Sequence, residues 1–362
     1  MHLPLLGQGH GVHEDGRSMQ SGKVLPASAA QEHQCISSEA VDQGCEDESL
    51  GMDARHRDDG RSFLCEVRAT LHHDADHGSL EQAMNRKMIF LDIDSTLYSH
   101  KTWSIPHSAS EACRRAQDQG HILFLCSGRS PLQTGEFRRL DWIKGQVCCD
   151  GAYAEAEGKV IFRHPLEDGS AAYLNELAEA CRANLSMHGL DENFTNTGGL
   201  AFYREWFAEL AMQWKKLGRK GELPKLPQLY EKAYQEQPIY MVDVFFRKDS
   251  DRDSFVKGLE GRYSWAGILS TAENSLMGGE ITAPGIHKGT GMLKAAAYYG
   301  ISRSDTIAFG DSANDTEMLK AAGVGVAMGN GAAAAKEAAD WVTDDIEEDG
   351  LAHAFMKLGL NG

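Results

Sequence analysis

The chain has 362 residues, and its 36 Lys and Arg against 53 Asp and Glu give a formal net charge of -17 at pH 7. A surface this acidic repels nucleic-acid backbones and anionic lipid headgroups, which argues against a general nucleic-acid-binding or membrane-surface protein. No apolar run reaches the roughly 18 residues that a membrane-spanning helix needs. The eight cysteines show no CxxC spacing, which argues against zinc-ribbon and thioredoxin-type sites. With no signal sequence at the N-terminus, we expect a reduced, cytoplasmic protein.

Residues 1–86 differ in composition from everything that follows them. Up to Lys87 the chain has one aromatic residue, Phe63, and 14 residues of Leu, Ile, Val or Phe, about 16% of the segment. A segment below roughly 20% in these residues buries too little apolar surface to offset its ordering entropy. We therefore expect residues 1–86 to be a disordered or non-native extension, with a weak metal or partner site at its histidines as the alternative. Translation could also begin at Met84 or Met88 instead of Met1.

From Lys87 onward, short apolar runs alternate with helical stretches. The runs are apolar on both faces, which is typical of strands buried in a parallel sheet. This alternation predicts an α/β fold with a doubly wound, Rossmann-like parallel sheet, whose ligands bind outside the carboxyl ends of the strands. The predicted strands are Met88–Leu91, Ile122–Leu125, Thr306–Phe309 and Val324–Met328, and the predicted helices are Lys288–Tyr299 and Ala313–Ala322.

Between residues 165 and 281 the pattern changes. A long amphipathic stretch, Ala171–His188, and a tryptophan-rich one, Phe202–Leu217, precede a strand-like run, Ile239–Phe246. No polar cluster follows the strands of this region as it does elsewhere, so we interpret the region as an inserted α+β domain. The predicted domains after the extension are a first core segment at 87–164, the insertion at 165–281 and a second core segment at 282–362.

Polar clusters follow the predicted strands of the core. The first, Asp92–Thr96 (DIDST), has two carboxylates two residues apart, and in a loop one could attack a substrate atom while the other handles protons. Taken alone, it could equally be a loop cap or an Asx turn. The second, Ser127–Arg129 (SGR), offers a hydroxyl and backbone N–H groups as a phosphate cradle. Its alternative is an ordinary strand-to-helix turn.

Two further clusters lie in the second core segment. Lys288 stands at the start of a predicted helix, where the helix dipole disfavours a cation unless an anion lies nearby; a solvated surface lysine is the alternative. The last cluster, Gly310–Asp315 (GDSAND), places Asp311 and Asp315 four residues apart, so that both carboxylates can face one point. Such oxygen ligands suit Mg²⁺, and the alternative is an N-cap aspartate with an ordinary acid in the first helical turn.

The order of these clusters along the chain is the strongest signal. Strand ends bearing DxDST, SGR, Lys and GDSANDTEML, in that order, resemble the four motifs of the haloacid dehalogenase (HAD) superfamily. They resemble more closely the Cof-type phosphatases with a type IIB cap. The resemblance covers residues 88–362, including the position of the insertion between the second and third motifs.

The resemblance implies a Mg²⁺-dependent phosphatase that hydrolyses a small phosphorylated metabolite, such as a sugar phosphate or a nucleotide or cofactor phosphate, through an aspartyl-phosphate. It implies that Asp92 is the nucleophile. Asp94 would protonate the leaving alcohol and then deprotonate the hydrolytic water. The implied phosphate-binding residues are Ser127, Gly128, Lys288 and Asn314, with Asn314 positioning Lys288 or the phosphate, and the implied metal-binding residues are Asp92, Asp94 through its backbone carbonyl, Asp311 and, close by, Asp315.

Two other functions fit the same motifs. One is a phosphomutase of the phosphomannomutase type, and the other is a catalytically idle phosphate-binding regulatory protein. The intact Asp92 and Asp94 argue against the idle protein, and the insertion lacks a clear pair of phosphate-binding arginines for a mutase.

The chain departs from the family pattern at Ser95, where Gly is usual, and at Asp150, where Asn is usual. We expect Asp150 to add negative charge near the entrance of the site.

Overall fold

The computed structural model describes residues 86–216, 229–230, 237–268 and 277–361. The predicted extension, residues 1–86, lies outside the described residues except for Arg86. Among the described residues, no helix is both long and apolar enough to cross a bilayer.

Two β-sheets organise the described part of the chain. The strands, in chain order, are β1 (Met88–Leu91), β2 (Ile122–Cys126), β3 (Gly145–Cys148), β4 (Tyr153–Ala156), β5 (Lys159–Arg163), β6 (Asn184–His188), β7 (Asn193–Thr195), β8 (Leu229–Tyr230), β9 (Met241–Phe246), β10 (Ser264–Ile268), β11 (Met277–Thr282), β12 (Thr306–Gly310), β13 (Val324–Ala327) and β14 (Trp341–Val342). The α-helices are α1 (His107–Asp118), α2 (Ser170–Ala180), α3 (Gly199–Lys216), α4 (Asp249–Gly258), α5 (Lys288–Tyr298), α6 (Thr316–Ala321), α7 (Ala333–Ala338) and α8 (Gly350–Lys357).

The first sheet has eight strands in the order β14-β13-β12-β1-β2-β3-β4-β5. Its strands from β14 to β3 are parallel, and β4 and β5 extend it in antiparallel pairing. Helices α1 and α8 pack on one face, and α5, α6 and α7 pack on the other. Because both faces are covered, every residue of β1, β2 and β12 is buried. The predicted α/β fold with a doubly wound sheet is therefore confirmed.

The second sheet is inserted between the two halves of the first. Its six strands lie in the order β10-β11-β9-β6-β7-β8 and are antiparallel except for the pair β7 and β8. Helices α2 and α4 cover one face through Leu174 and Phe255, and α3 packs over Phe245 on the opposite face. We refer to this sheet with α2, α3 and α4 as the cap. The predicted inserted α+β cap is thus confirmed as part of the fold class, whereas its boundaries at 165 and 281 stay a prediction.

The amphipathic stretch Ala171–His188 comprises two elements, most of helix α2 and the strand β6. Helix α2 ends at Ala180, and Arg182 then takes a left-handed conformation with φ 53°. Beyond this reversal the chain enters β6, where the apolar side chains repeat every second residue instead of every third or fourth. The period therefore changes within the stretch, because the chain turns from the helix back onto the sheet.

Candidate active site

The polar clusters meet at the carboxyl ends of β1, β2 and β12. In the parallel sheet Leu91 pairs with Leu125 on one side and with Phe309 on the other. The residues that follow these three strands are therefore neighbours at one edge of the sheet. Asp92 continues this pairing, since its backbone N–H donates to Phe309 O at 3.0 Å. The structure thus brings the first, second and fourth clusters together as the strand order predicts.

Lys288 joins this edge from the first turn of α5. Its Nζ lies 2.7 Å from Asp92 Oδ1 and 2.7 Å from Asp315 Oδ1, and its side chain is fully buried. Burial lowers the pKa of Lys288, but the carboxylates of Asp315 and Asp92 outweigh burial and hold that pKa well above its ordinary value. The anions that the helix dipole requires near this lysine are therefore side chains of the protein.

Three buried carboxylates form a candidate metal centre. One oxygen from each of Asp92, Asp311 and Asp315 lies within 4.8 Å of the others. Burial raises the pKa of Asp92 well above its ordinary value, opposed by Lys288 and reinforced by Asp315. Burial also raises the pKa of Asp311, and the carboxylates of Asp92 and Asp315 add to that shift. The one positive charge of Lys288 does not balance the three carboxylates, and a divalent cation would neutralise the negative charge that remains.

The turn after β12 holds Asp315 in a fixed orientation. Asp315 Oδ2 accepts hydrogen bonds from the backbone N–H groups of Asp311 and Ser312, each at 2.9 Å, and Ser312 caps the short 3₁₀ turn Ala313–Asp315 that precedes α6. Gly310 makes this approach possible, because a Cβ there would lie 2.5 Å from the Cβ of Asp315. A larger residue at position 310 would push Asp315 away from Lys288.

The carboxylate of Asp94 lies outside the three-carboxylate cluster and is bound by two cationic or titratable side chains. Arg129 donates to it from Nε at 2.8 Å and from Nη2 at 2.6 Å, and His100 Nε2 lies 2.9 Å from Asp94 Oδ1. Sequence reasoning assigned no role to Arg129 or His100. The position of Arg129 in the SGR cluster was a usable signal, whereas the separation of six residues between His100 and Asp94 offered none.

Ser127 and Gly128 line the turn after β2. Both residues are buried, and Ser127 Oγ accepts a hydrogen bond from the backbone N–H of Arg129 at 3.2 Å. Two backbone bonds tie this turn to the one after β3, from Cys149 N–H to Arg129 O at 3.0 Å and from Asp150 N–H to Ser127 O at 3.3 Å. Backbone hydrogen bonds to the neighbouring turn therefore hold Ser127 and Gly128 in place beside the carboxylates.

Asn314 connects the core to the cap. Its Nδ2 donates to Asp150 Oδ1 at 3.2 Å and to Glu280 Oε2 at 2.8 Å. Asp150 is buried, with 4% of its surface exposed, so its charge lies inside the protein and not at an entrance. Burial raises the pKa of Asp150 from its ordinary value. Sequence reasoning missed Glu280, because it lies on a cap strand with no recognisable motif around it.

The two departures from the family pattern occupy left-handed backbone. Ser95 has φ 64°, and its carbonyl accepts a hydrogen bond from Asn330 Nδ2 at 2.8 Å. Asp150 has φ 49° and follows Cys149 at φ 51°. Asn and Asp tolerate this region better than most residues, which accounts for an aspartate at position 150. The Ser95 side chain does not favour this left-handed conformation in the same way, and a glycine at this position would adopt it without strain.

Comparison with known proteins agrees with this arrangement. A family described as haloacid dehalogenase-like hydrolase matches residues 89–355. The chain is 29% identical over 277 residues to the putative phosphatase YkrA of Bacillus subtilis, covering 76% of this chain and 99% of that protein. It is 28% identical over 280 residues to the pyridoxal phosphate phosphatase YbhA of Escherichia coli, covering 74% of this chain and 97% of that protein.

Solved structures show the same architecture. The HAD subclass IIB sugar phosphatase BT4131 superposes with a TM-score of 0.64 at 24% identity, covering 76% of this chain and 99% of that one. The phosphatase BT1666 from Bacteroides thetaiotaomicron superposes with a TM-score of 0.63 at 25% identity, covering 80% of this chain and 99% of that one. The likeness to BT4131 is evidence for the fold.

Proposed function

The chain belongs to the haloacid dehalogenase-like hydrolases, and from this membership we propose that it is a phosphatase that hydrolyses a small phosphorylated metabolite with Mg²⁺ as its cofactor. The observation that carries the proposal is the contact of Lys288 Nζ with Asp92 Oδ1, 2.7 Å apart, beside a cluster of buried carboxylates. The relatives YkrA and YbhA, named as a putative phosphatase and a pyridoxal phosphate phosphatase, support the same reaction class.

The candidate metal centre fits Mg²⁺ by its donor chemistry. Asp92, Asp311 and Asp315 offer carboxylate oxygens alone, which hard divalent cations prefer over nitrogen or sulfur ligands. We propose that Asp92 and Asp311, with the backbone carbonyl of Asp94, would hold the ion and that Asp315 would support it from close by. Bound Mg²⁺ would neutralise negative charge and polarise a phosphoryl oxygen.

Asp92 is the proposed nucleophile. A carboxylate can approach a dianionic phosphate only if the repulsion between them is cancelled, and Lys288 is placed to cancel it. A carboxylate oxygen of Asp92 would form a bond to phosphorus while the bond from phosphorus to the leaving oxygen breaks. Ser127, Gly128 and Lys288 would bind the oxygens of the transferring phosphoryl group.

Asp94 is the proposed acid and base. It would give a proton to the leaving oxygen, and it would then take a proton from the water that hydrolyses the phosphorylated Asp92. Arg129 and His100 fix the plane of the Asp94 carboxylate. Proton transfer in both directions depends on that orientation, so we propose that these two residues position Asp94.

A direct assay tests the function. Purified full-length protein is given p-nitrophenyl phosphate, a panel of sugar phosphates and pyridoxal 5′-phosphate with Mg²⁺, and released inorganic phosphate is measured. We expect turnover by the wild type and by Asp118→Asn, a control on the exposed surface of α1, and none by Asp92→Asn. Folded wild type that releases phosphate from no ester would overturn the proposal.

A further inference from the structure

Two carboxyl groups meet where the cap contacts the core. Asp150 lies in the turn Cys149–Gly151 after the core strand β3, and Glu280 lies on the cap strand β11. Their side chains hydrogen-bond to each other, and Asn314 Nδ2 donates to Asp150 Oδ1 at 3.2 Å and to Glu280 Oε2 at 2.8 Å. Both groups are buried, with 4% of Asp150 and 1% of Glu280 exposed. We call Asp150 and Glu280 the carboxyl pair.

The amide of Asn314 is held in one orientation. Its Oδ1 accepts a hydrogen bond from Ser312 Oγ, so its Nδ2 faces the carboxyl pair with one N–H for each carboxyl group. Asn314 directly precedes Asp315, whose Oδ1 lies 2.7 Å from Lys288 Nζ. The carboxyl pair therefore fixes the turn that carries Asp315 and, through Asp315, the position of Lys288.

The hydrogen bond within the carboxyl pair requires a proton. An ionised carboxylate is an acceptor only, so two carboxyl groups can bond to each other only if one of them is protonated. Two ionised carboxylates buried side by side would also repel each other strongly. The neutral amide of Asn314 cannot cancel that repulsion, and the ammonium of Lys288 is already shared between Asp92 and Asp315.

The surroundings of the carboxyl pair favour that proton. The charged and titratable side chains around the pair are Lys288, Asp315, Asp243, His188, Cys126 and Cys149. Burial raises the pKa of each thiol and lowers the pKa of the imidazole, so these three groups are neutral near pH 7. Burial of Asp150, with the carboxylates of Asp315 and Asp243, outweighs Lys288 and the hydrogen bond with Glu280 and holds the pKa of Asp150 above its ordinary value.

We propose that Asp150 and Glu280 are positioning residues that share one proton and thereby hold the cap strand β11 and the turn of Asn314 in the arrangement that catalysis needs. The kinetic part of this inference rests on the proposed function. When the proton passes to solvent, the two carboxylates repel each other and Asn314 can no longer hold both. The turn that carries Asp315 then shifts, and activity falls as the pH rises through the ionisation of the pair.

Variants that keep the shape of the carboxyl pair but need no proton test its role in activity. Asp150→Asn gives Glu280 an N–H donor that does not titrate, and Asn tolerates the left-handed backbone at this position. The kcat for p-nitrophenyl phosphate, whose leaving group needs no proton, is measured with Mg²⁺ across the neutral and alkaline range. We expect the alkaline fall in kcat to begin about one pH unit higher in Asp150→Asn than in the wild type. Asp253→Asn, exposed on α4, should follow the wild type.

The stability of the same variants reports the shared proton without turnover. The folded protein holds this proton more tightly than the unfolded chain does, so the pair contributes stability that is lost as the pH rises through its ionisation. The midpoint of urea unfolding should therefore fall with rising pH in the wild type and in Asp253→Asn. The fall should be smaller in Asp150→Asn and in Glu280→Gln, because neither variant has a proton to lose at the pair.

The outcomes separate this inference from the proposed function. Urea midpoints that depend on pH equally in the wild type, Asp150→Asn and Glu280→Gln would show that the two groups share no proton. Coincident kcat profiles with different midpoints would overturn the positioning role. If one variant fails to fold, as judged by its thermal transition, the other decides. A wild type that hydrolyses no ester, with midpoints that shift as expected, would overturn the phosphatase and leave the shared proton standing.

Discussion

Arg129 donates two hydrogen bonds to the carboxylate of Asp94, from Nε at 2.8 Å and from Nη2 at 2.6 Å. The guanidinium is itself held, because it lies over the ring of Phe137 at 5.1 Å and donates from Nη1 to Gln133 O at 3.3 Å. A bidentate pair fixes the plane of a carboxylate as one hydrogen bond cannot. The plane of Asp94 is therefore set by a residue 35 positions further along the chain.

Replacing Arg129 tests whether its bidentate hydrogen bonding positions Asp94. Arg129→Lys keeps the charge but not the bidentate geometry, so we expect kcat for an alkyl phosphate to fall on the order of tenfold to a hundredfold. The loss should be smaller for p-nitrophenyl phosphate, whose leaving group needs no proton. Arg138→Lys, at a half-exposed pair with Glu155, is the control. Equal losses on both substrates would contradict a role in leaving-group protonation.

Lys288 should also stabilise the metal-free protein. Lys288→Met leaves Asp92 and Asp315 buried without their cation, and we expect a loss of about 3–5 kcal/mol in the free energy of unfolding. Urea denaturation in EDTA measures it. The double variant Lys288→Met with Asp315→Asn should lose less than the sum of the single variants, because each single change leaves the other group unpaired. Strict additivity would mean that the pair is not coupled.

Binding of Mg²⁺ should be visible without turnover. The ion would relieve repulsion among Asp92, Asp311 and Asp315. Adding Mg²⁺ to protein freed of metal with EDTA should therefore raise the midpoint of its thermal unfolding by several degrees. The shift should disappear in Asp311→Asn and persist in Asp118→Asn. Activity should vanish with EDTA and return with added Mg²⁺. A wild-type midpoint that does not respond to Mg²⁺ would count against the metal assignment.

The stability of the fold should depend on the protonation of His121. Its Nδ1 accepts a hydrogen bond from the backbone N–H of Lys87 at 3.1 Å, and burial, Lys87 and Arg86 lower its pKa below the ordinary 6.5. The unfolded chain therefore binds this proton more readily, so stability contributed by His121 is present above pH 6.5 and is lost as the pH falls through the lowered pKa. His121→Asn offers an acceptor that does not titrate, and its unfolding free energy should fall less between pH 7 and pH 5. A slope identical to that of the wild type would refute this assignment.

The backbone conformation of Ser95 is slightly strained. Its φ of 64° is unfavourable for a residue with a Cβ by roughly 1–2 kcal/mol, while glycine loses about 0.5–1 kcal/mol more conformational entropy on folding. Ser95→Gly should therefore raise the free energy of unfolding slightly, by up to about 1 kcal/mol. Ser95→Val should lower it by more than 1 kcal/mol, because a β-branched residue is least tolerated at positive φ. Chemical denaturation of both variants, compared with the wild type, measures the two effects.

The sequence alone was enough to predict the core sheet and the edge where the polar clusters meet. The runs at β1, β2 and β12 are apolar at nearly every position, and that pattern occurs where both faces of a parallel strand are buried. The carboxyl ends of such strands share one edge of the sheet, so the neighbourhood of Asp92, Ser127 and Asp311 followed from local patterns. The structure of the stretch Ala171–His188 did not follow from local patterns, because the period of its apolar residues changes where the backbone reverses at Arg182.

Only the tertiary structure decided which side chains touch. Lys288 meets Asp92 across 196 positions, and Glu280 on the cap meets Asn314 in the core. The orientation of Asp94 by Arg129 and His100 likewise depends on how the turns after β1 and β2 pack together. Periodicity and spacing report the face and the element on which a residue lies. They carry no record of the distance between elements, because that distance is set by the packing of the whole core and cap.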